Sequence, residues 1–395
     1  MWAQVFRITF LPALFLLTAC GEPPEPENQN AGQTFPNAEI PAVIRDQVDA
    51  LSTTVCDSAE GLKTNITTFL NSPNPETLSE ARAQWRQAHQ SYARLMVAYN
   101  LAEREPPHIE EDRDTQDAFP MLSGYLDRVP GYPRSGIVYS EVPLTPDFLR
   151  SEHQSTDFLY LTLGFHPLET MLWGSADQGT EERAKLYVQK ESVAEDKVDS
   201  HARRAELLRL IAHRLSRDAR VHCPAAGLET LMRDLTLLAD NKALARQAIA
   251  RALETLIEPR LSAWQNNPGG EDRNGMPVWH APFAKTDFTE MASQVDALQT
   301  RWLTALMPDA REAESDNTLE NRFSALAERL NQHADAGNNQ TVDGITLTRD
   351  ELNVLIAALS PPPQLEESAQ SNVPADQVNT KEQALGPLDS EESRE

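Results

Sequence analysis

Between Leu78 and Tyr99 the apolar side chains fall at Leu78, Ala81, Trp85, Ala88, Tyr92, Leu95 and Tyr99, alternating steps of three and four without a break. Only an α-helix gathers residues at that spacing into one stripe, and a stripe this long needs other helices to cover it. Pro75 stands near its start, where a missing N–H breaks no helical bond. Similar stripes recur at Leu207, Leu208, Ile211 and Leu215; at Leu253, Leu256, Ile257, Leu261 and Trp264; at Met291, Val295, Leu298 and Trp302; and at Phe323, Leu326, Ala327 and Leu330. Strand-type alternation is nowhere as sustained. Asp287 to Glu290 and Thr348 to Glu351 place a capping residue three before a glutamate, which marks helix starts. With only 16 Gly in the chain, a sandwich of many short turns is disfavoured. The expected fold is all-α, with two packed helical-bundle halves, 38–223 and 224–360, meeting near Cys223-Pro224.

Charge removes further classes. Sixty Asp and Glu stand against 35 Lys and Arg, a net charge of −25. A nucleic-acid groove needs clustered excess base, so no nucleic-acid partner is expected. Three cysteines without a CxxC pair exclude a disulfide-built scaffold and a thiolate metal site. Residues 1–19 carry one positive charge and then a twelve-residue apolar stretch, a signal peptide too short to span a membrane. It ends in Leu17-Thr18-Ala19-Cys20, which looks like a bacterial lipobox, so Cys20 is the expected lipidation site. Residues 20–37 then form a Pro- and Glu-rich disordered tether, and the membrane is engaged through the lipid anchor. Gly21 after the cysteine favours the outer membrane of a bacterial envelope, facing the periplasm. Residues 361–395, with eight acids, two bases and no aromatic, are expected to be a disordered acidic tail. Cys56 and Cys223 remain, either as a disulfide or as two buried thiols.

One stretch departs from the amphipathic pattern. From Phe158 to Gly174 the chain is apolar on almost every side, yet it contains His166 and Glu169. An ionised carboxylate in such a place needs a partner. Spacing i, i+3 puts the two side chains on one helix face, close enough to hold an ion between them. Pro167 means that a helix restarts or kinks here, and Gly164 gives room for close approach. On this pattern alone a buried pair of Glu169 with His166, or with Arg86, Arg203 or Arg204, accounts for the residues more simply than a metal site does.

The run Gly164-Phe165-His166-Pro167-Leu168-Glu169-Thr-Met-Leu-Trp173-Gly174 resembles the Gly-x-His-x-x-Glu motif and the Leu-Leu-Trp-Gly that follows it in the imelysin-like, or insulin-cleaving membrane protease, family. The Trp85 helix, His201-Ala-Arg203-Arg204, and Ala281-Pro-Phe283-Ala-Lys-Thr-Asp287 resemble further segments of that family, although Ala281 and Ala284 stand where it has serines. The resemblance implies a two-domain helical architecture, a periplasmic or outer-membrane place, links to iron supply, and a metal site using His166 and Glu169.

Two ligands are too few for a cation, and Asp157, Asp127, His153 and His89 are further donors by proximity in the chain. Asp157 falls on the opposite face if its helix is straight, and His89 reads more simply as a hydrogen-bonded bundle residue. The favoured expectation is a lipid-anchored envelope protein that holds a metal ion, iron the first choice, or a metal-bearing ligand. The alternatives are a metallopeptidase, for which the His-Glu-x-x-His run is missing, and a structural or partner-binding lipoprotein whose site is defunct.

Overall fold

The computed structural model describes residues 39–107, 113–127, 134–174, 179–188, 198–272, 277–308, 319–336 and 340–360. The signal peptide, Cys20, the tether and the acidic tail lie outside the described residues. Helix α1 (Ala42–Asn71) is followed after a short turn by α2 (Pro75–Leu101), and the two pack as a hairpin. The Asn74 side chain caps α2, accepting from the backbone N–H groups of Glu76 and Thr77, with Pro75 at the first helical position. The stripe from Leu78 to Tyr99 is buried as expected. Its neighbours His89, Ser91, Ala93, Val97 and Ala98 are buried as well, because α2 is covered from more than one side.

The covering elements are α4 (Phe165–Trp173), α8 (Lys242–Leu256) and α10 (Asp287–Ala297). Between them run α3 (Pro146–Glu152), α5 (Thr180–Lys185), α6 (Ser200–Asp218), α7 (Glu229–Ala239) and α9 (Glu258–Asn266). After α10 a π-helical turn, Leu298–Leu303, leads into α11 (Thr304–Leu306), and α12 (Leu319–Ala336) and α13 (Val342–Leu359) close the chain. Among the described residues there is no strand, only an isolated bridge between Glu271 and Pro277. The protein is all-α. Residues of both expected halves share one hydrophobic core.

Two helix starts differ from expectation. Thr348 lies inside α13, which begins earlier because Thr341 caps it through the Gly344 N–H. Asp287 is the first residue of α10 and makes no cap there; it reaches back to the N–H groups of His280 and Ala281 at 2.8 and 3.2 Å. The cysteines are joined: Cys56 of α1 and Cys223 form a disulfide with Cα atoms 5.7 Å apart. Arg183 and Arg204 both ion-pair with buried Asp127, at 2.9 and 2.6 Å, which fastens α5 and α6 to the preceding loop.

Candidate metal centre

Four separate segments bring side chains to one place. His89 projects from the buried face of α2, one turn after Trp85, whose indole N–H donates to the Phe165 carbonyl at 2.9 Å. Asp117 lies in a turn organised by Asp114, whose Oδ1 accepts from the N–H groups of Gln116 and Asp117 at 2.8 and 3.0 Å. His153 Nε2 donates to the Asp114 carbonyl at 2.8 Å, its tautomer set by Nδ1, which accepts from Thr162 and Leu163 N–H at 3.3 Å each. His166 sits in the first turn of α4. That helix starts afresh at Phe165, so Pro167 costs no hydrogen bond and produces no kink. Gly164 precedes it with φ +102°, and an added Cβ would lie 2.5 Å from the Gln116 carbonyl oxygen. His280 is carried by the segment before α10, where Trp279 stacks on Trp264 of α9 with ring centroids 3.7 Å apart.

The three imidazoles share one arrangement. Their Nε2 atoms converge on Asp117: His89 at 2.8 Å and His166 at 3.3 Å from Oδ1, His280 at 3.7 Å from Oδ2. Each Nδ1 faces a glutamate instead. His89 and His280 lie 2.9 and 3.4 Å from the two oxygens of Glu290, and His166 lies 3.4 Å from Glu169 Oε2. One ligand atom from each of His89, Asp117, His166 and His280 lies within 4.8 Å of the others. Phe119 packs its ring 5.4 Å from both His166 and His280. His89 and His166 are buried, while the side chains of His280 and Asp117 are 23% and 17% exposed, so the cluster is approached from their side.

Electrostatics bind these groups to one another. Burial alone would depress the His89 pKa, but the charges of Glu290 and Asp117 outweigh it and hold the imidazole well above its usual range. For His166 burial again opposes, and the adjoining Asp117 and Glu169 carboxylates push it up to about 9. Asp117 and Glu290, which burial would raise, are held far below the carboxylate range chiefly by the His89 charge. Arg260 supplies a further cation, 3.0 Å from Glu290 and 3.1 Å from Asp287.

The cluster passes a test for a cation. Although Asp117 Oδ1 lies 3.3 Å away, the buried His166 Nε2 makes no aligned hydrogen bond, and a buried polar atom left so is costly. Three imidazole nitrogens and one carboxylate suit a borderline first-row ion, and ring N–H groups facing carboxylates fix the tautomer that such a ligand needs.

Of the sequence candidates, His166 is in the cluster and Glu169 stands behind it. Glu169 Oε1 accepts from the N–H groups of Phe283 and Ala284 at 2.8 and 2.7 Å, so this carboxylate joins α4 to the late segment. The arginine partners considered for it go elsewhere: Arg204 to Asp127, Arg203 to the Val142 carbonyl, Arg86 over the Trp173 ring. Asp157 accepts from the Leu159 N–H, Asp127 holds two arginines, and His153 holds Asp114; none of the three reaches the cluster. His89 does, against its reading as an ordinary bundle residue. Asp117, His280 and Glu290 were not among the sequence candidates as ligands or their supports.

The family model described as Imelysin (Peptidase_M75) matches residues 52–364. A solved structure from Parabacteroides distasonis ATCC 8503 that goes under the name of an iron-regulated protein A precursor aligns over 80% of this chain and 93% of its own, at 13% identity and a TM-score of 0.40. No curated protein matches the chain.

Proposed function

Since the chain belongs to the imelysin family, we propose that it is an envelope protein that holds a metal ion, iron the favoured ion, on His89, Asp117, His166 and His280. The observation that carries this reading is the convergence of three Nε2 atoms on Asp117 while every Nδ1 faces a glutamate. Glu169 and Glu290 then act as the carboxylates that orient the ligands, and Glu169 serves the site without touching the ion. A nitrogen-rich set with one carboxylate favours Fe(II) or Zn(II) over Ca(II) or Mg(II), which prefer oxygen. Peptide hydrolysis has less support. A water-activating base needs a carboxylate free to take a proton, and both glutamates are engaged by ring nitrogens, backbone amides or Arg260. The lipid anchor at Cys20 belongs to the same proposal; Cys20→Ser should move the protein from the membrane fraction to the soluble one.

Melting with and without added Fe(II), Zn(II) and Ca(II) tests the site. An ion bound only by the folded state, at a hundredfold excess over its Kd, adds about 2.7 kcal/mol of stability, and chelation should remove it. His280→Ala should lose most of the response. The reading is wrong if no ion shifts the wild-type transition, or if His280→Ala responds as the wild type does.

A further inference from the structure

His280 is the donor of the cluster with the least support from its own surroundings. It belongs to no helix, and its side chain is the most exposed of the four. What holds it comes from α9. Arg260 and Trp264 stand four residues apart and so share one face of that helix. Trp264 stacks on Trp279, the residue before His280. Arg260 reaches the same segment by another route: its Nη2 lies 3.1 Å from Asp287 Oδ1, 3.2 Å from the Asp287 carbonyl oxygen and 3.0 Å from Glu290 Oε2. The two acids divide His280 between them. Asp287 accepts from the His280 and Ala281 N–H groups, which fixes the backbone, and Glu290 Oε2 lies 3.4 Å from His280 Nδ1, which orients the ring. Both carboxylates are buried, at 2% and 1% exposure, with one guanidinium in reach of both. On its other side α9 is anchored to α13, through the Glu258–Arg349 ion pair and the Gln265 amide donating to the Thr346 hydroxyl at 2.8 Å.

We infer that Arg260 is a positioning residue for the metal centre: through Asp287 and Glu290 it sets the place and the ring orientation of His280. The inference rests on the metal reading above. Charge and geometry make opposite forecasts for it. A fixed cation repels an incoming ion, so if Arg260 acted by its field alone, its removal would tighten binding. If Arg260 places His280, its removal weakens binding, because a nitrogen ligand leaves its position. Since a single nitrogen meets all three oxygens, an ammonium with three donors can stand in for it, and Lys should restore what Gln loses.

Co(II), added alone, is the probe, followed by calorimetry and by its visible absorption, which changes when a nitrogen ligand is lost. Arg260→Gln is expected to weaken binding about 10- to 100-fold and to move the Co(II) spectrum toward that of His280→Ala. Arg260→Lys should stay nearer the wild type in both. Asp287→Asn keeps an acceptor for the His280 N–H and leaves Glu290 to Arg260, so it carries the same test if Arg260→Gln does not fold; weaker binding and the altered spectrum are expected of it too. The inference is overturned if the folded variant binds Co(II) as tightly as the wild type or more tightly, or if Arg260→Lys binds no better than Arg260→Gln. A wild type that binds no Co(II) brings down the metal reading and this inference with it, whereas equal binding by wild type and Arg260→Gln leaves the metal reading standing.

Discussion

Glu169 performs two tasks with its two oxygens, and substitution can separate them. Oε1 takes two backbone N–H groups of the late segment, and Oε2 faces His166 Nδ1. Glu169→Gln retains an acceptor for the amides but removes the charge that fixes His166, so the fold should survive while metal affinity falls about 10- to 100-fold. Glu169→Ala also orphans the amides, at roughly 1–3 kcal/mol each. Urea melts should therefore rank wild type above Gln above Ala; equal stability of the two variants would sink the dual role. Asp127 gives a pH prediction. Burial would raise its pKa, but Arg204 and Arg183 outweigh burial and bring it down to about 2, below its usual value. A lowered folded-state pKa contributes stability above the unfolded value near 3.9, which is lost as the pH falls toward 2. The wild type should lose urea resistance steeply across that window. Asp127→Asn should lose less there while being weaker at pH 7, because two buried arginines are then unpaired. His166 and Glu169 were legible in the sequence because one helical spacing puts them on one face. Asp117 and His280 were not, since both lie in irregular connections where separation along the chain carries no geometry.

At the scale of elements, the cluster depends on how α4 meets the loop bearing Asp117. Phe165 N–H donates to the Gln116 carbonyl at 2.8 Å, and only a residue without a Cβ lets the chain enter α4 at this distance and φ. Gly164→Ala combines a positive φ, about 1–3 kcal/mol for a non-glycine residue, with a contact against backbone that cannot move aside. The loss should exceed about 2 kcal/mol in urea denaturation and should weaken metal binding, because Asp117 follows Gln116. A neutral Gly164→Ala would mean that the loop shifts freely and that Asp117 is not held in place. The long stripes were readable because periodicity of 3.6 has no rival over many turns. Helix starts were read less well: a capping pattern cannot say whether its acid caps a helix or, like Asp287, reaches a neighbouring segment through His280 N–H. A Thr-x-x-Glu run inside α13 is likewise silent about the turn before it.

For the whole molecule, the centre joins what the sequence divides. His89, Asp117 and His166 come from the first half, and His280 and Glu290 from the second, so no half alone can assemble the cluster. The covalent tie between Cys56 and Cys223 works through the unfolded chain. It closes 167 residues, and removing so long a loop releases up to about 5 kcal/mol of chain entropy into the unfolded state. Sequence left this pairing open because bridging is decided by Cα separation. It is also mechanically close to the site: His222, next to Cys223, has Nε2 3.0 Å from the Gln116 amide nitrogen, and Gln116 precedes Asp117. Two effects of Cys223→Ser can thus be told apart. If the disulfide acts on the unfolded chain alone, the variant and the reduced wild type should both lose about 2–5 kcal/mol in urea, and ion affinity below the transition should stay unchanged. If it holds His222 and the Asp117 loop in register, affinity should fall as well. The burial of His222 beneath Tyr92 and Tyr99, with ring centroids 5.6 and 5.7 Å away, keeps it in place without the sulfur link. The expected outcome is lower stability with affinity retained, and a reduced protein that unfolds at the same urea concentration as the oxidised one would contradict it.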